Sequence, residues 1–202
     1  MADKVDLKRV LKQQYTAKAA PALVDVVEMQ FLMVDGAGDP NTSAEYAEAV
    51  GALYGAAYTI KFREKAAGRD FVVPPLEALW WADDMDAFPG ADKDSWQWTA
   101  MIALPDSVPS SVVEGAMAGM AAGDEPPPGL GRVRLDRLAE GRSAQVLHLG
   151  PYADEAPTIQ RLHDFIDAEG LQRRGLHHEI YLSDPRRTAP EKLKTIIRQP
   201  VG

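Results

Sequence analysis

Two short stretches of this sequence place acids among aromatic rings at a spacing that can do chemistry. In "HEIYLS", residues 178–183, strand alternation puts Glu179 and Tyr181 on one face and the aliphatic Ile180 and Leu182 on the other. In "LEALWW", residues 76–81, Glu77 precedes the adjacent Trp80 and Trp81, which a regular strand must point to opposite sides. At most one of the two tryptophans can therefore face a site, and the other is expected to pack in the core. A carboxylate among rings is partly desolvated, which strengthens its hold on a proton or a cation. The competing reading of either glutamate is a solvated strand acid or, for Glu77, a strand-edge salt bridge. Tyr152 follows a Gly-Pro turn in "LGPY", where its hydroxyl either reaches a ligand or points to solvent. Trp96 and Trp98 share a face; core packing is as good a role as a ligand wall, and Trp98 stays a candidate ligand contact. Planar molecules stack on such rings, and cationic ones gain about 0.5 to 2 kcal/mol of cation–π attraction.

Other chemistries find no support. The 202 residues include no cysteine, which removes thiolate metal sites and a cysteine nucleophile. Four histidines remain, and the adjacent His177 and His178 point to opposite strand faces, so neither a metal site nor a serine triad is expected. "GAGDP" and "PPPGLG" lack the strand-then-helix context and lysine of a phosphate loop and read as turns. No cofactor is implied. A net charge of −8, with basic residues in short interrupted groups, argues against nucleic acid. The N-terminus is charged from residue 3 onward with no apolar leader, and no run approaches the roughly 18 apolar residues of a spanning helix. A soluble, cytoplasmic protein off the membrane is expected.

The elements that must hold these residues repeat. Residues 1–20 form a polar arm, 21–123 a first module with a trailing helix, 124–131 a Pro/Gly linker and 132–202 a second module. Each module reads as strand, Gly turn, helix, strand, strand: "FLMVDGAG" matches "QVLHLGPY", "LEALWW" matches "HEIYLS", and "WTAMIALP" matches "TIIRQPV". Under that alignment Glu77 and Glu179 occupy equivalent places. Capping boxes at Thr42/Glu45, Ser111/Glu114 and Thr188/Glu191 are expected to start elements. Residues 132–150 read as a hairpin, and Gly170 stops the helix carrying Ile159, Leu162, Phe165 and Ile166.

With "LGPY", a helix and "HEIYLSDP" in this order, and "DFVVPPLEALWW" and "WQWTAMIALPD" before them, the chain resembles the GyrI-like small-molecule-binding family, in its stand-alone branch. The resemblance implies an α+β fold. Two βαββ modules related by a pseudo-twofold axis share one antiparallel sheet, with the helices on one face and a ligand cleft between modules. It also implies that Glu179 lies in that cleft and receives cationic or polar ligands. The expected function is binding of small aromatic or cationic xenobiotics, with hydrolysis of strained, cyclopropane-type electrophiles as a further step for detoxification. Catalysis would fall to Glu179 and Tyr152, and ligand contacts to Glu77, Trp80, Trp81, Trp98 and Tyr181. The alternative is an acidic interaction module, such as a gyrase-inhibitor-like partner protein. Its sign would be an acidic face, for which Asp83, Asp84, Asp86, Asp92 and Asp94 are the candidates.

Overall fold

A computed structural model describes residues 4–82 and 93–202. Asp83, Asp84, Asp86 and Asp92 lie outside the described residues, as does the side chain of Asp94. The strands are β1 (Ala22–Val26), β2 (Met29–Ala37), β3 (Leu76–Trp81), β4 (Gln97–Leu104), β5 (Arg134–Leu138), β6 (Gly141–Leu149), β7 (His177–Tyr181) and β8 (Lys194–Pro200); the α-helices are α1 (Leu7–Val10), α2 (Ala44–Ala66), α3 (Ser110–Ala121) and α4 (Ala156–Ala168). All eight strands form one antiparallel sheet in the order β1-β6-β8-β7-β3-β4-β2-β5. The two repeats, β2-α2-β3-β4 and β6-α4-β7-β8, meet where β3 pairs with β7. This is the expected α+β arrangement of paired βαββ units.

The hairpin expected over residues 132–150 does not form. β5 pairs with β2 and β6 pairs with β1, so each leading strand closes the outer edge of the other repeat. A two-residue gap invited the hairpin reading, but the positive φ of 67° at Gly141 starts β6 on a separate path. Strand pairing thus crosses the Pro-rich stretch in both directions.

Both long helices cover one sheet face. α2 starts at Ser43, whose hydroxyl accepts the Tyr46 amide, so the cap falls one residue after Thr42. It buries Ala49, Ala52, Leu53, Ala56, Ala57 and Ile60. Four alanines in this stripe let the helix sit close over Leu32, Val34, Trp98, Ala100 and Ile102. α4 buries Ile159, Leu162 and Ile166 over Ala144, Val146 and Ile197, and ends at Gly170 with φ of 69°. Two expected caps are absent: α3 begins after Pro109 with no side-chain cap, and Thr188 leads only into a 3₁₀ turn at 190–192.

The other face is covered by the N-terminal arm. Leu7 and Tyr15 close over Phe31, Leu79, Met101, Ile180 and Ile196. Among the described residues no helix is long and apolar enough to cross a membrane.

Candidate functional site

The β3–β7 pairing decides which candidates meet. Ala78 stands opposite Glu179, and Glu77 opposite Ile180. Neighbours across a ladder share a face, so Glu179 points to the helix side with Ala78 and Trp80, while Glu77 points to the arm side. The equivalence of Glu77 and Glu179 that the repeat suggested is therefore off by one residue. The structure separates the two acids by the thickness of the sheet.

On the helix face, β7 sets His177, Glu179 and Tyr181 in a row. The Tyr181 hydroxyl donates to Glu179 Oε2 at 2.7 Å, and His177 Nε2 lies 3.1 Å from Glu179 Oε1. Trp80 Nε1 donates to the Tyr181 oxygen at 3.1 Å, so an indole, a phenol and a carboxylate form one chain. The Tyr152 ring meets Tyr181 edge-on at 5.4 Å and is about one-third exposed, the most accessible ring of this group. Tyr46 of α2 packs its ring 5.8 Å from Trp80 and 4.9 Å from Trp98.

A second acid joins this row. Glu155, at the N-cap of α4, is buried near Glu179 and the Thr195 hydroxyl. Burial and the Glu179 charge push the Glu155 carboxyl far above the usual range, so it is a neutral acid at pH 7. Burial acts to raise Glu179 too, but hydrogen bonds from His177, Tyr181 and Glu155 outweigh it and hold Glu179 ionised. Burial and the nearby carboxyls push the Tyr152 hydroxyl up to about 12, and burial moves Tyr46 and Tyr181 upward as well. All three phenols are donors at neutral pH. The site therefore holds one carboxylate, one carboxylic acid and several hydroxyls inside aromatic walls.

Sequence reasoning brought Glu179, Tyr181, Tyr152 and Trp80 to this site. It missed Glu155, because an acid at a helix start reads as a dipole partner. It also assigned Tyr46 only to the helix and gave His177 no role. Three other candidates sit elsewhere. Trp81 points to the arm face with Leu79. Trp98 is fully buried behind Tyr46 and offers a ligand no surface; its ring lies so close to Gly36 that a Cβ there would come within 2.3 Å of it.

Glu77 belongs to a different cluster, under the arm. Its Oε1 accepts the Tyr15 hydroxyl at 2.7 Å, and its Oε2 faces His178 Nε2 at 3.0 Å. His178 Nδ1 reaches Glu140 at 2.9 Å, and Arg198 donates to Glu140 at 2.9 Å and to the Gln14 carbonyl. Burial opposes a charge on His178, but Glu140 and Glu77 raise it to about 9, so it is an imidazolium at neutral pH. Burial likewise opposes ionisation of Glu140, yet His178 and Arg198 hold it down at about 2. Two carboxylates face two cations, and the charges cancel. Among the described residues no group of acids, histidines or cysteines is arranged to hold a metal ion.

Comparison with known proteins agrees with this architecture. The GyrI-like small molecule binding domain model matches residues 19–201. An uncharacterized conserved protein from Listeria innocua is 43% identical, covering 98% of this chain and all of that one, with a TM-score of 0.90. A hydrolase from Listeria innocua is 42% identical, covering 98% of this chain and all of that one, with a TM-score of 0.85. The EcmrR C-terminal domain shares the fold at 12% identity, covering 90% of this chain and 96% of that one, with a TM-score of 0.56. A comparison with curated proteins found no match. A family model that spans nearly the whole chain, with full-length relatives above 40% identity, settles the membership: the chain belongs to the GyrI-like small-molecule-binding family.

Proposed function

We propose that the helix-face cleft binds a planar small molecule and hydrolyses it when it carries a strained, cyclopropane-type ring. The observation that carries this reading is the buried Glu179 carboxylate, ionised and ringed by Tyr181, His177 and the neutral Glu155. Two carboxyls driven to opposite protonation states in one pocket are the usual arrangement for acid–base work. The Listeria innocua hydrolase, similar over its whole length, supports it.

The reaction balances with groups at hand. Glu179 takes a proton from water as its oxygen attacks the ring carbon; the C–C bond breaks, and its electron pair passes to a conjugated oxygen. Tyr152 donates a hydrogen bond to that oxygen, which finally receives the proton held on Glu179, while Tyr181 keeps Glu179 in place. Trp80 and Tyr46 hold the flat substrate. Ring strain supplies driving force, so the protein has only to position water and stabilise charge. This role, detoxification of reactive xenobiotics, suits aromatic rings set around a small group of placed acids and hydroxyls.

The test is turnover of a strained-ring electrophile, read by product mass, in wild type and Glu179→Gln. Loss of the base should lower turnover by about 100-fold or more while affinity for a neutral planar ligand stays close to wild type. Equal turnover in the two proteins refutes the reading.

A further inference from the structure

We propose that His148, which takes no part in the reaction described above, is a positioning residue: its imidazole brackets the turn before α4 and so fixes where Tyr152 presents its hydroxyl. The inference rests on Tyr152 being the donor of that reaction.

His148 lies near the end of β6, opposite Thr195 of β8, which in turn stands opposite Tyr181 of β7. Residues opposite one another share a face, so His148 belongs to the helix side of the sheet, two strands from Tyr181. It is buried, and both ring nitrogens are engaged. Nε2 lies 3.2 Å from the Pro151 carbonyl oxygen, and Nδ1 lies 3.0 Å from the Thr158 hydroxyl. A carbonyl only accepts, so the Nε2 proton is donated to it, while Nδ1 is paired with a hydroxyl that can donate or accept.

These two contacts span the segment that carries Tyr152. Gly150 takes a positive φ of 132° and its amide donates to the Leu193 carbonyl, and Pro151 follows in extended backbone. Residues 152–154 then make a 3₁₀ turn, closed by the Asp154 amide on the same Pro151 carbonyl. Thr158 sits in the first turn of α4. One ring thus ties the residue just before Tyr152 to the helix just after it. The Tyr152 ring is the most accessible of its aromatic group and meets Tyr181 only edge-on, so packing constrains it less than its buried neighbours. The backbone beneath it must set its direction.

Two amides divide the contacts of the imidazole. A glutamine can carry an N–H to the place of Nε2, and a shorter asparagine only to that of Nδ1, so the two substitutions separate the bond to the turn from the bond to the helix. Loss of the bond to the turn misplaces a hydroxyl that must meet the developing oxyanion within hydrogen-bond distance. Such misplacement lowers kcat more than it raises KM.

Turnover of a strained-ring electrophile and magnetic-resonance spectra of isotope-labelled tyrosine test the proposal together. His148→Asn should lower kcat about 10- to 100-fold with KM close to wild type, and His148→Gln should keep most of the activity. In Tyr152→Phe, which has already lost the hydroxyl, His148→Asn should cost little more. The Tyr152 ring signal, identified by its absence from Tyr152→Phe, should shift in His148→Asn and hold its place in His148→Gln, while that of Tyr15 under the arm stays unmoved in both. Thr158→Val keeps the side-chain shape and leaves Nδ1 without its partner. It should show a smaller part of the same loss, again absent from Tyr152→Phe, and it carries the test if His148→Asn does not fold. A full further loss on Tyr152→Phe, equal losses from the two amides, or a Tyr152 signal that stays in place in His148→Asn overturns the proposal. A Tyr152 signal that moves as expected, in a protein whose wild type turns over no strained electrophile, removes the hydrolase reading and leaves His148 as what sets Tyr152 in the cleft; turnover with an unmoved signal does the reverse.

Discussion

The two faces of the β3–β7 ladder carry nearly the same residue types in opposite states. On the arm side, Glu77 and Glu140 are matched by His178 and Arg198, and Tyr15 and the Gln14 carbonyl take up remaining hydrogen bonds. On the helix side, Glu179 and Glu155 face His177, phenols and an indole, and burial beside the Glu179 charge keeps Glu155 neutral. The adjacent His177 and His178 belong to different networks because alternation sends them to different sides. Balanced charges need no further partner, so the arm face is structure. The helix face retains acid in excess of base, which is what a ligand can answer. On the proposed reading, what marks the site is charge left unbalanced, not charge that is buried.

The largest effect that tests this contrast is on the arm side. Arg198→Met leaves Glu140 with half its cationic support inside the protein and should destabilise the fold by about 3 to 5 kcal/mol in urea titration. A cost under about 1 kcal/mol would mean that this cluster is not a structural unit.

A second effect is in pH. His178 has its folded pKa raised from 6.5 to about 9, so its contribution is complete below 6.5 and lost as pH rises through 9. Glu140 is lowered from 4.5 to about 2, so its contribution is complete above 4.5 and lost as pH falls through 2. In Glu155→Gln, where the raised carboxyl of the helix side is gone, Tm should be highest between these unfolded values of 4.5 and 6.5. Wild type should decline already above 4.5, because the unfolded chain surrenders the proton that folded Glu155 keeps. Identical Tm profiles for the two proteins would remove the distinction between the faces.

The smallest effect separates the tryptophans. Trp80→Phe keeps a ring but loses the N–H to Tyr181, and should abolish most ligand-induced quenching while costing about 1 kcal/mol in affinity. Trp81→Phe, on the arm face, should leave quenching and affinity as they are. Equal responses would place the aromatic wall elsewhere.

Much of this molecule is legible in one sequence. The repeat was visible in "HEIYLS" and "LEALWW", and alternation alone put Glu179 with Tyr181, and Ile180 with the apolar layer. The stripe of α4 and its stop at Gly170 follow from periodicity and the need for a left-handed residue. The false hairpin had a physical cause. β5 and β6 are adjacent in sequence with strand-like patterns, yet β6 finds better partners in β1 and β8, and no local signal reports a distant strand.

The site shows the same division. Which residues can share a strand face is fixed by a two-residue period, so Glu179, Tyr181 and His177 were bound to meet. Whether Glu77 joins them depends on the register between β3 and β7, and a shift of one residue sends a side chain to the opposite face. Glu155 depends on more still, since it comes near Glu179 only because α4 docks over β6 and β8. The sequence determined the strands, the helices and the faces of each, because those are set by neighbours a few residues apart. The tertiary structure decided which acids meet which cations, because a carboxyl buried beside another differs from one beside an arginine only through contacts between distant parts of the chain.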